Sequence, residues 1–146
     1  MHGSLTFEIL DSCSENGART GIVTTPHGSF QTPAFMPVGT RATIKGLTPA
    51  QVRATGSEII LNNAYHLMLR PGDETIAQLG GVHAFMRWDR PILTDSGGYQ
   101  AWSMADINTI DDDGVKFKSI IDGSLIRMTP ERSIEIQNNL DRNSVV

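Results

Sequence analysis

Hydrophobic and polar residues alternate along the first part of the chain and give way to short hydrophobic runs further on. Residues 5–10 alternate weakly, and residues 19–25 are rich in β-branched side chains. A Pro-His-Gly turn separates this second segment from a third at residues 30–32. Alternating segments joined by turn residues are typical of antiparallel strands. The pattern therefore predicts a small antiparallel β-sheet over residues 1–33.

Beyond residue 33, short hydrophobic runs alternate with the start signals of helices. Three runs are predicted to form strands, at residues 34–38, 57–61 and 92–94. Thr-Pro or Asp-Glu pairs precede three predicted helices, which begin near residues 48, 73 and 129, because Thr caps a helix, Pro fits its first turn and acids suit its amino end. We expect the strand at 92–94 to be buried and residues 62–66 to be the end of the strand before it. Alternating strands and helices predict an α/β fold.

The last third of the chain contains a hairpin signal. Residues 115–120 alternate, the pair Asp122-Gly123 follows, and hydrophobic residues return at 125–128. An Asp-Gly pair between alternating segments strongly favours a β-hairpin, which we place near residues 114–128. The acidic run before it, residues 111–114, lacks the alternating spacing and distal Glu of a calcium loop, so we interpret it as a solvated hairpin tip.

Composition limits the class of protein. The chain has 146 residues, of which 39% are hydrophobic and 19% charged, so it suits a globular domain with one core. It shows no signal segment and no run long enough to span a bilayer, so a soluble cytoplasmic protein is expected. The net charge of −4 argues against a chain that binds nucleic acid unaided. The single cysteine, Cys13, cannot form an internal disulfide or a cysteine-based zinc site.

Candidate chemistry follows the predicted strand at 92–94. There Asp95 is fixed by the strand, and Gly97 and Gly98 would let a flat ligand approach the backbone closely. Tyr99 offers an aromatic face, and Gln100 an amide that both donates and accepts. The alternative is an ordinary turn in which Asp95 bonds its own backbone. Taken alone, the local sequence favours the turn.

Five segments in order resemble the tRNA-guanine transglycosylases, also called queuine tRNA-ribosyltransferases. They are residues 35–40, 45–49, 65–72, 93–100 and 122–124. The resemblance runs from about Leu5 to the last residue. It implies a TIM (β/α)₈ barrel with a zinc-bearing insertion, and such a barrel needs roughly 250 residues. We therefore expect residues 1–146 to be the incomplete N-terminal part of one catalytic domain, in which a β cap at 1–33 precedes the first βα units at 34–146.

The resemblance implies an exchange of bases in tRNA. Guanine at the wobble position of a GUN anticodon is replaced by a 7-deazaguanine, preQ1 or queuine, in queuosine biosynthesis. The sugar passes through a covalent ribosyl–aspartate intermediate, as in retaining glycosidases. Asp95 is expected to be the general base, Tyr99 to stack on the base and Gln100 to orient the nucleophilic carboxylate. The residues expected to bind the substrate are Asp95, Ser96, Gly97, Gly98, Tyr99, Gln100, Asn63, Val38 and Leu61.

The same resemblance implies functional groups that this chain lacks. The nucleophile, a second aspartate that reads guanine and the Cys/His ligands of a structural zinc ion are expected beyond Val146. The chain alone is therefore expected to bind no zinc and to be inactive, while the complete protein is expected to be a homodimer that binds tRNA and no membrane. One departure concerns Asn63, since the family usually has Gly-Asn-Thr where this chain has Asn62-Asn63-Ala64.

Four alternatives concern function. The chain could belong to a non-catalytic, tRNA-binding partner subunit of a heterodimer, although the intact segment from Asp95 to Tyr99 argues against it. It could belong to an unrelated barrel enzyme that binds an anion, which the missing helix start signal after Gly98 disfavours. The archaeal branch, which modifies another tRNA position, fits residues 97–100 less well. Finally, His66 could be catalytic, but a packed histidine is the favoured interpretation.

Overall fold

The first sheet of the computed structural model, which describes residues 5–103 and 108–140, is antiparallel. Its strands are β1 (Thr6–Ser12), β2 (Arg19–Thr25) and β3 (Gly28–Thr32), in the order β1-β2-β3. Gly21 allows the Phe7 side chain to lie across the sheet, because a Cβ there would stand 2.5 Å from the Phe7 ring. The predicted antiparallel sheet is confirmed over its described part.

Two short strands, β4 (Ile60–Asn62) and β5 (Ile92–Thr94), pair in parallel. Helix α1 (Pro49–Ala54) precedes β4, and its predicted cap is confirmed, since the Gln51 N–H donates to Thr48 Oγ1 and the Thr48 N–H to Gln51 Oε1. Parallel strands with helices between them make this an α/β arrangement.

The predicted strand at residues 34–38 is wrong except for its last residue. Val38 forms a single parallel bridge with Leu61, supported by bonds from the Leu61 N–H to the Pro37 carbonyl and from the Gly39 N–H to the Leu61 carbonyl. Prolines have no N–H, so Pro37 cannot donate to a strand ladder. Three parallel segments are thus joined side by side, and the described residues do not close a barrel.

Three short helices connect β4 to β5: α2 (Ala64–Leu69), α3 (Asp73–Gln78) and α4 (Val82–Met86). The interpretation of residues 62–66 as the end of a strand is confirmed for Asn62, the last residue of β4, and is wrong for residues 64–66, which lie in α2. The Asn63 side chain caps α2 by accepting the His66 N–H at 3.1 Å, as a good N-cap residue does. Tyr65, Leu67 and Ile76 from these helices are fully buried in the core.

The second antiparallel sheet contains β6 (Asn108–Asp111), β7 (Gly114–Lys118) and β8 (Leu125–Met128), in that order. The predicted hairpin near 114–128 is confirmed, and so is the solvated hairpin tip at residues 111–114, where β6 turns into β7. Helix α5 (Gly98–Ser103) precedes this sheet and α6 (Pro130–Leu140) follows it. In the described part of the chain, the longest helix has 11 residues, and none could cross a membrane.

The first sheet lies near the amino ends of the parallel strands. The Gln31 N–H donates to the Glu58 carboxylate, just before β4. The His27 ring stacks on His83 of α4 at 3.6 Å, and Gly28 approaches Pro91, just before β5. This placement agrees with the expected cap at the end of the parallel strands away from Asp95.

A buried carboxylate joins α3 to α6. Asp73 is 2% exposed, and its two oxygens accept bonds from Arg132 Nη2 and Asn139 Nδ2, each at 2.7 Å. Ile76 of α3, and Ile136 and Leu140 of α6, belong to the same hydrophobic core. Because α6 is connected in sequence to the second sheet, this contact fixes the last part of the chain to the helices after β4.

Replacing Asp73 by Asn should destabilise the fold. The change removes the buried charge that Arg132 and Asn139 bind, and the new amide brings N–H donors against their donors. Breaking a buried ion pair costs about 3 kcal/mol or more, and we expect the low end because Arg132 partly reaches water. Urea unfolding, followed by tryptophan fluorescence, measures the loss.

Glu135→Gln is the matched control, because Glu135 pairs with the same arginine from the surface. An exposed pair contributes about 0–1 kcal/mol, so this variant should unfold almost like the unaltered chain. Equal destabilisation by the two substitutions would contradict the structural role given to Asp73.

Candidate functional site

The carboxyl ends of β4 and β5 bring polar side chains together at one edge of the parallel sheet. Asp95 follows β5 directly, and Asn63 follows β4. Asn63 Nδ2 donates to Asp95 Oδ2 at 2.6 Å, and the Ala64 N–H donates to Asp95 Oδ1 at 2.8 Å. Gln100 Nε2 donates to Oδ2 at 3.0 Å from α5. Asn63 and Gln100 therefore both contact Asp95 itself.

The donor set leaves Asp95 able to accept one more hydrogen bond. An ionised carboxylate accepts at about four lone-pair sites and donates at none. Two donors occupy Oδ2 and one occupies Oδ1. Among the bonds formed within the described residues, one acceptor position thus remains on Oδ1, which is where a ligand N–H could bind.

Asn63 has two roles, one at each end of its side-chain amide. Its oxygen caps α2 by accepting the His66 N–H, and its nitrogen donates to Asp95. The amide orientation is therefore determined by both partners. The chain keeps this asparagine although the residues on each side depart from the family pattern, and Ala64 contributes only its backbone N–H to Asp95.

Hydrophobic side chains line the same face of the parallel segments as Asp95. Val38, Leu61 and Leu93 are direct neighbours across the three segments, and by the two-residue period of strands Asn63 and Asp95 lie on their face. Val38 is 56% and Leu93 47% exposed. The expected burial of residues 92–94 is therefore wrong for Leu93, because the described residues bury only the opposite face, that of Ile60 and Ile92.

The loop after Asp95 passes close to α2. Gly97 has φ +72°, and a Cβ there would stand 3.0 Å from the Tyr65 backbone nitrogen. Only glycine combines this left-handed conformation with so close an approach. Tyr65 itself is buried against Phe117, and burial raises the pKa of its hydroxyl. The sequence predicts a glycine turn at Gly97. The structure adds a second reason for glycine there, which is its close packing on Tyr65.

Helix α5 begins at Gly98, so the prediction of no helix start after Gly98 is wrong. The Gly98 N–H donates to Ser96 Oγ at 3.3 Å, which is a local turn bond of the kind that starts helices. Tyr99 lies in the first turn of α5 and is 71% exposed. The missing helix start signal after Gly98 was the argument against an unrelated anion-binding barrel enzyme. Because α5 does begin there, this argument no longer holds.

The predicted substrate-binding residues fall into two groups. Those that contact Asp95 or adjoin it in sequence are Asn63, Ser96, Gly97, Gly98, Tyr99 and Gln100. Val38 and Leu61 lie beside this group on the exposed face of the sheet. Sequence reasoning missed the Ala64 backbone donor, because a backbone N–H carries no residue-type signal. No three His, Cys, Asp or Glu side chains among the described residues could together hold a metal ion.

Comparison with known proteins identifies the family of the chain. A family model described as Queuine tRNA-ribosyltransferase matches residues 13–144. The chain belongs to this family. Membership removes the unrelated anion-binding barrel as an explanation, although α5 had left it open.

Individual relatives with the same name match almost the whole chain in sequence. Queuine tRNA-ribosyltransferases of Acetivibrio thermocellus and Lysinibacillus sphaericus are 53% and 50% identical over 137 residues, or 94% of this chain. That of Cereibacter sphaeroides is 54% identical over all 146 residues. The matched regions are 36–38% of these relatives, so the chain spans little more than a third of their length.

His66 is a titratable residue whose pKa responds to the charge of Asp95. It is half-buried on α2 with its ring edge against Tyr65. Burial, and then the positive charge of Arg41, lower the pKa of His66, while the negative charge of Asp95 opposes them. A lowered pKa favours the neutral ring in the folded state. The free energy of unfolding therefore has its full value above pH 6.5, the ordinary pKa of histidine in the unfolded chain. It decreases as the pH falls below 6.5, because the unfolded chain then binds a proton that the folded His66 does not.

Two substitutions should move the His66 pKa in opposite directions. Arg41→Gln removes a positive charge and should raise it, whereas Asp95→Asn removes a negative charge and should lower it. A titration of the ring resonances by NMR measures both shifts. Arg53→Gln, which removes an arginine paired with Asp89, is the control and should leave the value unchanged. Shifts of the same sign for Arg41→Gln and Asp95→Asn would contradict this assignment of charges.

Proposed function

We propose that the chain is the amino-terminal part of a tRNA-guanine transglycosylase with a (β/α)₈ barrel. The complete enzyme would exchange guanine in the anticodon of a GUN tRNA for preQ1 or queuine in queuosine biosynthesis. Family membership supports this proposal. The observation that carries it is the Asp95 carboxylate, held by donors at the carboxyl end of β5, while the bonds of the described residues leave one acceptor position on Oδ1. In α/β barrels, this end of the strands bears the active site.

Asp95 would act as the general base toward the incoming base. A ring N–H of the heterocycle donates to Oδ1 and transfers its proton there as the ring nitrogen attacks the ribose carbon, while the bond from that carbon to the nucleophilic aspartate of the ribosyl intermediate breaks and frees its carboxylate. Asn63 and Gln100 keep Oδ2 fixed during this step. One N-glycosidic bond replaces another, so the exchange consumes no redox cofactor and no nucleoside triphosphate.

Tyr99 and the exposed sheet face would hold the flat heterocycle. Stacking on an aromatic ring contributes about 1–3 kcal/mol per base, and Tyr99 is accessible for it. Val38 and Leu61 would contact the base or ribose from the neighbouring segments. The contact of Gln100 with Asp95 gives this residue a positioning role at the general base, and its expected role toward the nucleophile remains a prediction.

The remaining groups of the reaction are proposed to lie beyond Val146. They are the nucleophilic aspartate that forms the ribosyl intermediate, the second aspartate that reads guanine and the ligands of a structural zinc ion. The described residues do not fit a zinc site, since Cys13 is exposed and no three-ligand group is present among them. None of the steps above uses the metal. Homodimer formation by the complete protein is part of the same proposal.

The 146-residue chain alone should not exchange bases. It lacks the proposed nucleophile, so it cannot form the covalent intermediate. Incubation with an unmodified GUN tRNA and radiolabelled guanine measures incorporation, with the complete protein as the positive control. Incorporation by the isolated chain above the rate without protein would contradict the proposed division of roles.

Asp95→Asn in the complete protein should lower the exchange rate at least about 100-fold, which is the typical contribution of a general base. The asparagine is close in shape but cannot accept the proton. Initial rates of labelled guanine incorporation, measured on protein whose folding is confirmed by its unfolding midpoint, test the effect.

Asp112→Asn is the matched control, because Asp112 lies in the exposed β6–β7 turn. It should exchange guanine at the unaltered rate. If Asp95→Asn retained a rate close to that of this control, Asp95 would not be the general base. Complete protein that binds tRNA but never incorporates guanine would instead favour the non-catalytic partner subunit.

A further inference from the structure

A second element, α6, also contacts the loop between Asp95 and Gly98. Ser133 Oγ of α6 donates to the backbone carbonyl of Ser96 at 3.1 Å. The two residues are 37 positions apart, so this contact exists only in the folded chain. Residues of α2 and its cap contact the same segment, since Ala64 and Asn63 donate to the Asp95 side chain and Gly97 packs closely on Tyr65.

The helix that carries Ser133 is itself fixed. Arg132, the preceding residue, pairs with the buried Asp73 of α3, and Asn139 binds the other oxygen of the same carboxylate. Ile136 and Leu140 of α6 are buried in the core. Ser133 therefore projects from a helix whose position relative to α3 is determined by an ion pair and by packing.

The Ser133 contact fixes the direction of a whole peptide unit. The peptide between Ser96 and Gly97 is planar, so orienting the Ser96 carbonyl also orients the Gly97 N–H. Gly97 adopts a left-handed φ, and glycine has many alternative conformations from which this one must be selected. Holding the carbonyl from α6 restricts those alternatives at the point where the loop turns from β5 into α5.

We propose that Ser133 is a positioning residue of the base pocket, one that sets the loop between Asp95 and Tyr99 for the heterocycle. This inference rests on the proposed function only in naming a purine-like base as the ligand. Ser133 acts on the pocket through Ser96 and touches neither Asp95 nor the reacting atoms. It should therefore affect the affinity for the base more than the rate of proton transfer.

The test compares three variants of the complete protein. Ser133→Ala removes the hydroxyl, and Ser133→Thr retains one at the same place. Ser29→Ala is the matched control, since it removes a hydroxyl that bonds Thr24 in the first sheet, at the other end of the strands. Deuterium exchange of the amides at residues 96–100, the Kd for guanine by calorimetry, and the KM and kcat of guanine exchange are measured for each.

Ser133→Ala should speed amide exchange at residues 96–100 and raise both Kd and KM for guanine about two- to tenfold, the range for one lost neutral hydrogen bond. The kcat should change less than twofold by the same reasoning. Ser133→Thr and Ser29→Ala should behave like the unaltered protein. This pattern would support the proposal, because a general loss of stability would not separate KM from kcat or be rescued by threonine.

Two results would overturn the proposal. One is amide exchange in Ser133→Ala equal to that in Ser29→Ala, and the other is an unchanged Kd for guanine despite faster exchange in the loop. If the unaltered protein neither binds nor exchanges guanine, the proposed function fails separately. The amide-exchange comparison would then still decide whether Ser133 holds the loop.

Discussion

The contact between the amino end of α2 and the Asp95 carboxylate determines the candidate site. It joins two adjacent strand ends, since Asn63 follows β4 and Asp95 follows β5. One amide side chain both caps α2 and binds the carboxylate, so the helix cannot move without changing the site. Gly97 then packs on Tyr65 of the same helix. The position of the loop from Asp95 to Tyr99 follows from these local contacts.

Much of the secondary structure is predictable from the sequence because its causes are local. The β-branched run at 19–25 and the Asp-Gly turn before β8 depend on neighbouring residues, and so does the capping box at Thr48. The errors have tertiary causes. Residues 34–38 have strand-like composition, but Pro37 has no N–H to donate to a ladder. Helix α2 has no long periodic pattern and depends on its Asn63 cap.

The candidate site shows the same division. Asp95 and its neighbours are recognisable because five segments in order resemble one family. The resemblance identifies residues but not their contacts, and only the structure shows that Asn63 and Gln100 both donate to Asp95. Ser133 and the Ala64 N–H have no sequence signal at all. Their contacts with the loop depend on packing between segments that are about 30 to 40 residues apart.

The two faces of the parallel segments become buried at different stages of folding. Ile60 and Ile92 are covered by helices that the same stretch of chain supplies, so this side can be buried as soon as α6 has left the ribosome. On the other face, Val38 and Leu93 stay exposed among the described residues. During synthesis, hydrophobic surface beside Asp95 would therefore stay in contact with water after the helix side has formed. A chaperone that binds exposed apolar strands would find its target on the face proposed to bind the base.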